Sequence, residues 1–387
     1  MNPFDPYSNA RQAGPTVQTN IGGEDVLMLL RYQDVKAAAR NWSAFTSAAP
    51  RGVSIPTQMH IRPVPQFPIE TDPDEHGQYR ALIEPIFGRA AIERHRSSAQ
   101  MVAAVAVDGF LADRQLEVVE EYALPLVSRT LARVLGRPQS DAERWLQWAP
   151  DVFTDADGNQ IRNTSLDAYL GQVADEAIAL RGADAFGQLA SAMFRGRKLT
   201  REEIIGYGYL LFAGGRDTVV GVLSSSIWYL AHNEDDRRRL VAQPDLIPSA
   251  VEEFLRLMTP LHFIGRVVTI ANVIGSCPVS PGDLIALGFA SANRDEDVFE
   301  APNELRIDRS PNRHMAFGHG PHLCLGVHLA RMELAVALTE LLTRVPDYRV
   351  IAPTTPNLFD VGIGVAQNGF SQLTIQAMDV GDRGIQR

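Results

Sequence analysis

The sequence predicts a mainly α-helical protein with small β-sheets at its edge, folded as a single domain over residues 1–387. Three observations lead there. Apolar residues recur at helical spacing through most of the chain. One segment, from Thr200 to about Asn233, is apolar on nearly every face between Ile204 and Val222, so it must cross the core. Extended patterning is confined to Val26–Leu30, Arg266–Ile274 and Asp283–Leu287, with Pro281-Gly282 as a turn between the last two.

Composition excludes several classes of function. Hydrophobic residues make up 45% of the chain and charged residues 21%, enough apolar material for a sizeable core. The net charge of −10 disfavours nonspecific nucleic-acid binding. The start, Met1-Asn2-Pro3-Phe4-Asp5-Pro6-Tyr7, has no basic leader and no apolar run, so neither a signal peptide nor a membrane anchor is expected. Two cysteines, Cys277 and Cys324, make no disulfide framework and point to a reducing cytoplasm.

The core-crossing helix is justified at its start and in its middle. Thr200 and Glu203 fit a capping box, and the segment would span roughly 50 Å at the ordinary rise per residue. Its middle reads Ala213-Gly214-Gly215-Arg216-Asp217-Thr218. Glycine inside a helix costs about 1 kcal/mol against alanine, so two in a row predict close approach or local unwinding, as beside a planar cofactor and its small ligand. A packing seam between helices is the plainer alternative. Thr218 can bend the helix by bonding back to a carbonyl, and Asp217 can pass protons. Arg216 either holds Asp217 or points outward. Together Arg216 and Asp217 rule out a membrane span.

A helix following Pro248 carries Glu253-Phe254-Leu255-Arg256, whose charged residues share a face and predict a buried ion pair. The same spacing at Glu93/Arg96 and Glu234/Arg237 reads as solvated surface pairs. What singles out Glu253/Arg256 is its place between the glycine-bearing helix and the segment that follows.

That segment, Phe317-Gly318-His319-Gly320-Pro321-His322-Leu323-Cys324-Leu325-Gly326, delivers Cys324 to a helix running from Val327 to Arg344, which must stop before Pro346. A thiolate there offers an unhindered sulfur, and the positive end of the helix lowers its pKa. Gly318 and Gly326 let backbone approach something flat, and Phe317 can cover the sulfur. The loop predicts haem, because thiolate ligation pushes electron density toward oxygen and favours O–O cleavage. A buried structural thiol is the bland alternative. Zinc is another, drawing on His314, His319, His322, Cys324 and His328, but structural zinc usually brings paired cysteines and leaves the glycines unexplained.

In this order the elements resemble the cytochrome P-450 superfamily of haem-thiolate monooxygenases over nearly the whole chain. The loop matches the family's Phe-Gly-x-Gly-x-His-x-Cys-x-Gly signature at every fixed position. Gly214-Gly215-Arg216-Asp217-Thr218-Val219-Val220, Gly265-Arg266 and Leu325-Gly326-Val327-His328-Leu329-Ala330-Arg331 are similar to the camphor-hydroxylating bacterial type. The resemblance implies haem b with Cys324 as axial iron ligand, and Phe317, Gly318, Gly326 and Gly214 beside it. It implies His76, Arg80, Arg266 and His322 as propionate donors, arginine being suited to carboxylates. Glu253, Arg256 and Arg309 would form a buried structural triad, although Leu305 stands where the family often has an aromatic residue. Asp217 and Thr218 would be the acid–alcohol pair that delivers protons to dioxygen.

By the same resemblance the substrate walls comprise Met59, Val64, Phe67 and Ile69, then Leu211, Phe212 and Ala213, then Leu261, His262, Phe263 and Ile264. A small hydrophobic substrate is expected, terpenoid or aromatic; no tyrosine stands in the loop before His76 to anchor camphor. His262 is either a polar contact or a satisfied wall residue. Without a flavin or nicotinamide domain, electrons are expected from an iron–sulfur ferredoxin with its reductase. Arg306, Arg309, Arg313 and His314, with Arg89, Arg94 and Arg96, form the expected cationic docking patch. A peroxide-driven relative and a non-catalytic haem sensor or carrier are the alternatives; the Asp217-Thr218 pair argues against both.

Overall fold

The computed structural model describes residues 5–148 and 160–378. Helices dominate it and the strands form small sheets, as the sequence predicts. The larger sheet has the strand order Thr16–Ile21, Glu24–Leu29, Leu284–Leu287, Ile264–Val268, Phe45–Thr46. Neighbours run antiparallel, except that Leu284–Leu287 lies parallel to Glu24–Leu29. The expected strand Arg266–Ile274 is in fact two, Ile264–Val268 and Asn272–Ile274. Pairing with Leu284–Leu287 stops at the Pro281-Gly282 turn, where the Gly282 N–H donates to the Val268 carbonyl at 2.9 Å, and Asn272–Ile274 pairs instead with Cys277–Val279.

A three-stranded sheet of Tyr348–Asp360, Val365–Ala377 and Gln115–Glu117 was not expected from the sequence. Pro353 and Pro356 remove ladder donors from the outer strand, and its register shifts between Ile351 and Thr354 and again around Pro356. Those irregularities blur the period-two alternation that would have announced it.

The core-crossing helix starts as expected. The Thr200 hydroxyl accepts the Glu203 N–H at 3.2 Å, and the Glu203 carboxylate accepts the Thr200 N–H at 2.6 Å. It then breaks into Arg201–Gly215 and Asp217–His232, with Arg216 at φ −120° and ψ −70° between them. The Thr218 hydroxyl bonds back to the Gly214 carbonyl at 3.1 Å across the break. Both halves are buried on most faces, through Ile204, Tyr207 and Phe212 on one and Val222, Leu223 and Ile227 on the other. They share one core with Leu334, Leu338 and Leu341 of the Val327–Arg344 helix and with Phe254 and Leu255 of the Ile247–Leu257 helix. Each such side chain contributes on the order of 1.5–3 kcal/mol by leaving water.

Residues 47–74 lie against the first half of this helix. The Phe67 N–H donates to the Gly206 carbonyl at 3.3 Å. A Cβ on Gly206 would stand 2.4 Å from the Pro65 carbonyl, so the contact requires glycine. The loop is braced internally by Arg62 and Glu70, paired at 2.7 Å with side chains 0% and 2% exposed.

Of the two pairs read as solvated, Glu93–Arg96 is on the surface. Arg237 is buried instead, 4.0 Å from Glu234, and donates to the carbonyls of Leu230 at 2.7 Å and Pro346 at 3.1 Å. It caps carbonyls that the Asp217–His232 helix leaves unpaired at its end. Among the described residues no helix is long and apolar enough to cross a membrane.

Candidate active site

The cysteine loop is shaped by its glycines. Gly318 and Gly320 take φ of +71° and +75°. A Cβ on Gly320 would meet the Ala39 carbonyl at 2.6 Å, so glycine lets the loop seat on the Tyr32–Arg40 helix. After the turn Gly320–His322, the Cys324 N–H donates to the Phe317 carbonyl at 2.9 Å. The Phe317 ring packs on the main core beneath the Arg331 guanidinium, 4.9 Å from its centre. Burial pushes the Cys324 thiol up, while the Gly326 N–H, Arg80 and Arg331 pull it down. Burial is the larger effect, and the backbone N–H at the helix start supplies part of the opposing one, as expected. A bound metal ion deprotonates a coordinating thiol outright.

Beside the loop lies a cluster of nitrogen donors. His76 and Arg80 stand one turn apart on the Glu75–Phe87 helix, Arg266 comes from a central strand and His322 from the loop. The rings of His76 and His322 are 4.3 Å apart. Arg80 donates to the Leu323 carbonyl at 2.6 Å and to Glu84 at 3.0 Å. His322 meets the Ser47 hydroxyl through Nε2 at 3.2 Å, but its buried Nδ1 has no partner. Arg266 is buried, bonds to the Gly265 carbonyl at 2.7 Å, and makes no ion pair among the described residues. Burial and then Arg80 lower His76 to about 4; burial and then Arg266 lower His322 to about 2. Burial brings Arg266 down to about 10. Arg266 without an ion pair and His322 Nδ1 without a partner among the described residues fit the two carboxylates of a haem.

The other half of the site is the break in the core-crossing helix. Helical spacing puts Leu210, Ala213, Gly214 and Asp217 on one face. Gly214 is exposed although the helix is otherwise buried, and a Cβ there would meet nothing within 4 Å. Leu210 and Ala213 are half-buried on the same strip, whereas Leu211 and Phe212 turn into the core. Arg216, 2% exposed, donates through Nε to Asp217 at 2.8 Å and through Nη1 to the Trp145 carbonyl at 3.2 Å. Of the two readings of Arg216, the structure has it holding Asp217.

The expected substrate walls are only partly brought together. Val64 and Leu211 belong to the main core, and Phe67 packs at a tilt against Tyr79, ring centres 4.7 Å apart. Ile69 packs on the core of the larger sheet and Phe263 on the N-terminal cluster. His262 accepts from the Tyr7 hydroxyl through Nδ1 at 2.9 Å and meets Phe359 edge-on at 4.9 Å, while burial lowers it to about 3. It is therefore a satisfied, neutral residue rather than an open polar contact. Ala213 and the exposed Leu261 stay open. Leu210 escaped the sequence reading, although its place three and four residues before Ala213 and Gly214 announces it.

Glu253, Arg256 and Arg309 do converge. Glu253 accepts from Arg256 at 2.8 Å and from Arg309 at 3.0 Å, with the Glu253 and Arg256 side chains fully buried. This removes Arg309 from the docking patch. Arg306 pairs with Glu304, Arg96 with Glu93, and His314 with Glu252. Arg89, Arg94 and Arg313 remain exposed with no ion pair among the described residues. Nor do three or more His, Cys, Asp or Glu side chains gather there as a metal cage.

The sequence model of the cytochrome P-450 family matches residues 174–346. The chain is 33% identical over 365 residues to the beta-dihydromenaquinone-9 omega-hydroxylase of Mycobacterium tuberculosis, covering 91% of this chain and 73% of that protein. It is 32% identical over 361 residues to the nocardicin C N-oxygenase of Nocardia uniformis, covering 90% and 89%. A solved carbohydrate-active P-450 superposes with a TM-score of 0.92 at 36% identity, over 97% of this chain and 98% of that one. A Mycobacterium marinum P-450 in complex with pseudoionone gives 0.86 at 26% identity, over 96% and 93%.

Proposed function

Since the chain belongs to the cytochrome P-450 family, we propose that Cys324 ligates the iron of its haem b and that a separate iron–sulfur ferredoxin with its reductase supplies electrons for monooxygenation of a small substrate. When bound, the haem supplies reductive activation of dioxygen and insertion of one oxygen atom. His76, Arg80, Arg266 and His322 would hold its propionates. Glu253, Arg256 and Arg309 brace the segment that leads into the cysteine loop. Asp217, held by Arg216, and Thr218, at the helix break, hold and pass protons. The observation that carries this reading is the donor cluster, with Arg266 lacking an ion pair and His322 Nδ1 lacking a partner among the described residues, beside a half-buried cysteine loop in a chain whose core helix breaks at an acid and an alcohol. That pair favours dioxygen over peroxide as the oxidant.

The aliphatic strip of Leu210 and Ala213, with Leu261, supports a small hydrophobic substrate, terpenoid or aromatic. The relative bound to pseudoionone supports an apolar occupant. The camphor-type likeness rests on three short stretches and goes no further than the family. A carbohydrate is a second reading, favoured by the 36% identity and 0.92 TM-score to a carbohydrate-active P-450. Arg89, Arg94 and Arg313 are the cations for an acidic ferredoxin. A cytoplasmic setting accords with two cysteines outside any disulfide.

The test is spectroscopic and then chemical. The reduced carbon monoxide complex should show the long-wavelength Soret band of thiolate ligation, and Cys324→Ser should abolish it; a band at the ordinary histidine position overturns the assignment. Titration with small terpenoids, aromatics and neutral sugars, read as a low- to high-spin Soret shift, separates the two substrate readings. Turnover as efficient with peroxide as with a ferredoxin system overturns the electron source.

A further inference from the structure

We propose that Arg216 is a positioning residue, fixing the Asp217 carboxylate at the helix break and tying it to the C-terminal end of the Gln139–Trp145 helix. Arg216 is the residue at which the core-crossing helix fails, with φ −120° and ψ −70°. Its guanidinium is 2% exposed, a placement that is costly unless the charge is answered. Its partners include Asp217 Oδ1 at 2.8 Å and the Trp145 carbonyl at 3.2 Å. That carbonyl ends its helix, where carbonyls attract cations, and it also accepts the Trp148 N–H at 3.1 Å.

Trp145 makes a second contact with the same core helix. Its ring meets Phe212 edge-on at 4.8 Å, one turn before Arg216. The end of the Gln139–Trp145 helix is thus held to the break through a ring on one side and a carbonyl on the other. On another face, Gly215 lies against Leu131 at 3.4 Å from where a Cβ would stand, so the break is packed rather than loose. Asp217, with its side chain 27% exposed, keeps some access to solvent while Arg216 holds one oxygen in place. A carboxylate that must exchange protons with water and pass them toward Thr218 needs both properties. A movement of the Gln139–Trp145 helix would reorient the acid through one guanidinium.

The inference rests on the acid–alcohol reading of Asp217 and Thr218, and the experiment separates the two. Haem-bound wild type, Arg216→Met, Arg216→Lys, Asp217→Asn and Thr218→Ala are compared by four readouts. These are the carbon monoxide spectrum, the share of electrons released as hydrogen peroxide, the solvent deuterium isotope effect on product, and amide hydrogen exchange in residues 141–146 and 214–219. Arg216→Met should keep the spectrum, raise peroxide release and the isotope effect several-fold, and speed exchange in both segments. Arg216→Lys retains a cation for Asp217 but lacks the second arm, so it should restore the isotope effect while exchange in 141–146 stays fast. Faster exchange in Arg216→Met with wild-type peroxide release and isotope effect overturns the positioning role and leaves a purely structural one. If Asp217→Asn and Thr218→Ala also leave peroxide release unchanged, the acid–alcohol reading itself falls. Should Arg216→Met fail to fold, Arg216→Lys decides: exchange in 141–146 that matches wild type refutes the tie.

Discussion

Replacing Glu253 by glutamine should cost far more than the same change at Glu93, although both glutamates sit three residues before an arginine on a helix. Glu253 is fully buried and accepts from Arg256 Nε and Nη2 at 2.8 Å, Arg309 Nε at 3.0 Å, the Arg306 N–H at 2.9 Å and Asn312 at 3.1 Å. Arg256 in turn donates to the carbonyls of Asn293 at 2.9 Å, Pro302 at 2.7 Å and Glu304 at 3.0 Å, so the pair fastens residues 293–312 to the Ile247–Leu257 helix. Removing the one negative charge leaves two guanidinium charges with carbonyl partners but no counter-charge, and breaking such a buried pair costs about 3–5 kcal/mol. Glu93 and Arg96 are 55% and 39% exposed, where an ion pair is worth about 1 kcal/mol or less. Urea unfolding of the two variants measures the difference directly, and a stability of about 5–15 kcal/mol makes the larger loss easy to see. Equal losses would refute the reasoning, because they would mean that spacing rather than burial sets the worth of the pair.

Three further outcomes are expected. Arg266→Met should stabilise the haem-free protein, since it removes a buried charge with no carboxylate, yet weaken haem retention by about ten- to hundred-fold, the worth of a charge-assisted hydrogen bond; haem transfer to a scavenger protein and urea unfolding check the opposite signs. Arg89→Glu combined with Arg94→Glu should slow reduction by ferredoxin at low salt, with the difference shrinking as salt rises and substrate affinity unchanged; stopped-flow reduction at two ionic strengths measures it. Glu333 is fully buried with neither carboxyl oxygen partnered, and burial raises its pKa well above the ordinary value. The folded state therefore keeps a proton that the unfolded chain releases above about pH 4.3, and the stability tied to that proton is lost as pH rises. Glu333→Leu should be more stable than wild type by about 1–3 kcal/mol near pH 4, and the gap should widen above that by up to about 1.4 kcal/mol per pH unit, read from unfolding at pH 4, 5, 6 and 7.

What was legible in the sequence was local. The cysteine loop compresses two left-handed glycines, a turn and a helix start into ten residues, and each is a backbone requirement that residue type alone satisfies. The capping box at Thr200 is of the same kind. The break at Arg216 was half legible, because the glycines and Thr218 signal unwinding while the apolar pattern runs on unbroken from Ile204 to Val222. The substrate walls were poorly legible. Which side chains of residues 47–74 turn inward is set by the buried Arg62–Glu70 pair and by the contact of Phe67 with Gly206, partners far apart in the chain. Arg237 was misread for the same reason, its partners being carbonyls that no side-chain pattern reveals.

The two halves of the cofactor site make opposite demands that a single ligand meets. Burial disfavours charge of either sign, so it raises the Cys324 thiol and lowers His76, His322 and Arg266. A metal cation at the sulfur relieves the first but leaves Arg266 and His322 Nδ1 unanswered. A phosphate among the nitrogen donors relieves the second but does nothing for the thiol. A ligand that carries a metal ion and two carboxylates at fixed separation on a flat frame relieves both, and Gly318 and Gly320 shape the loop that offers the cysteine to such a frame. The electrostatics of these residues therefore accord with haem better than with zinc or a simple anion, alongside the family match.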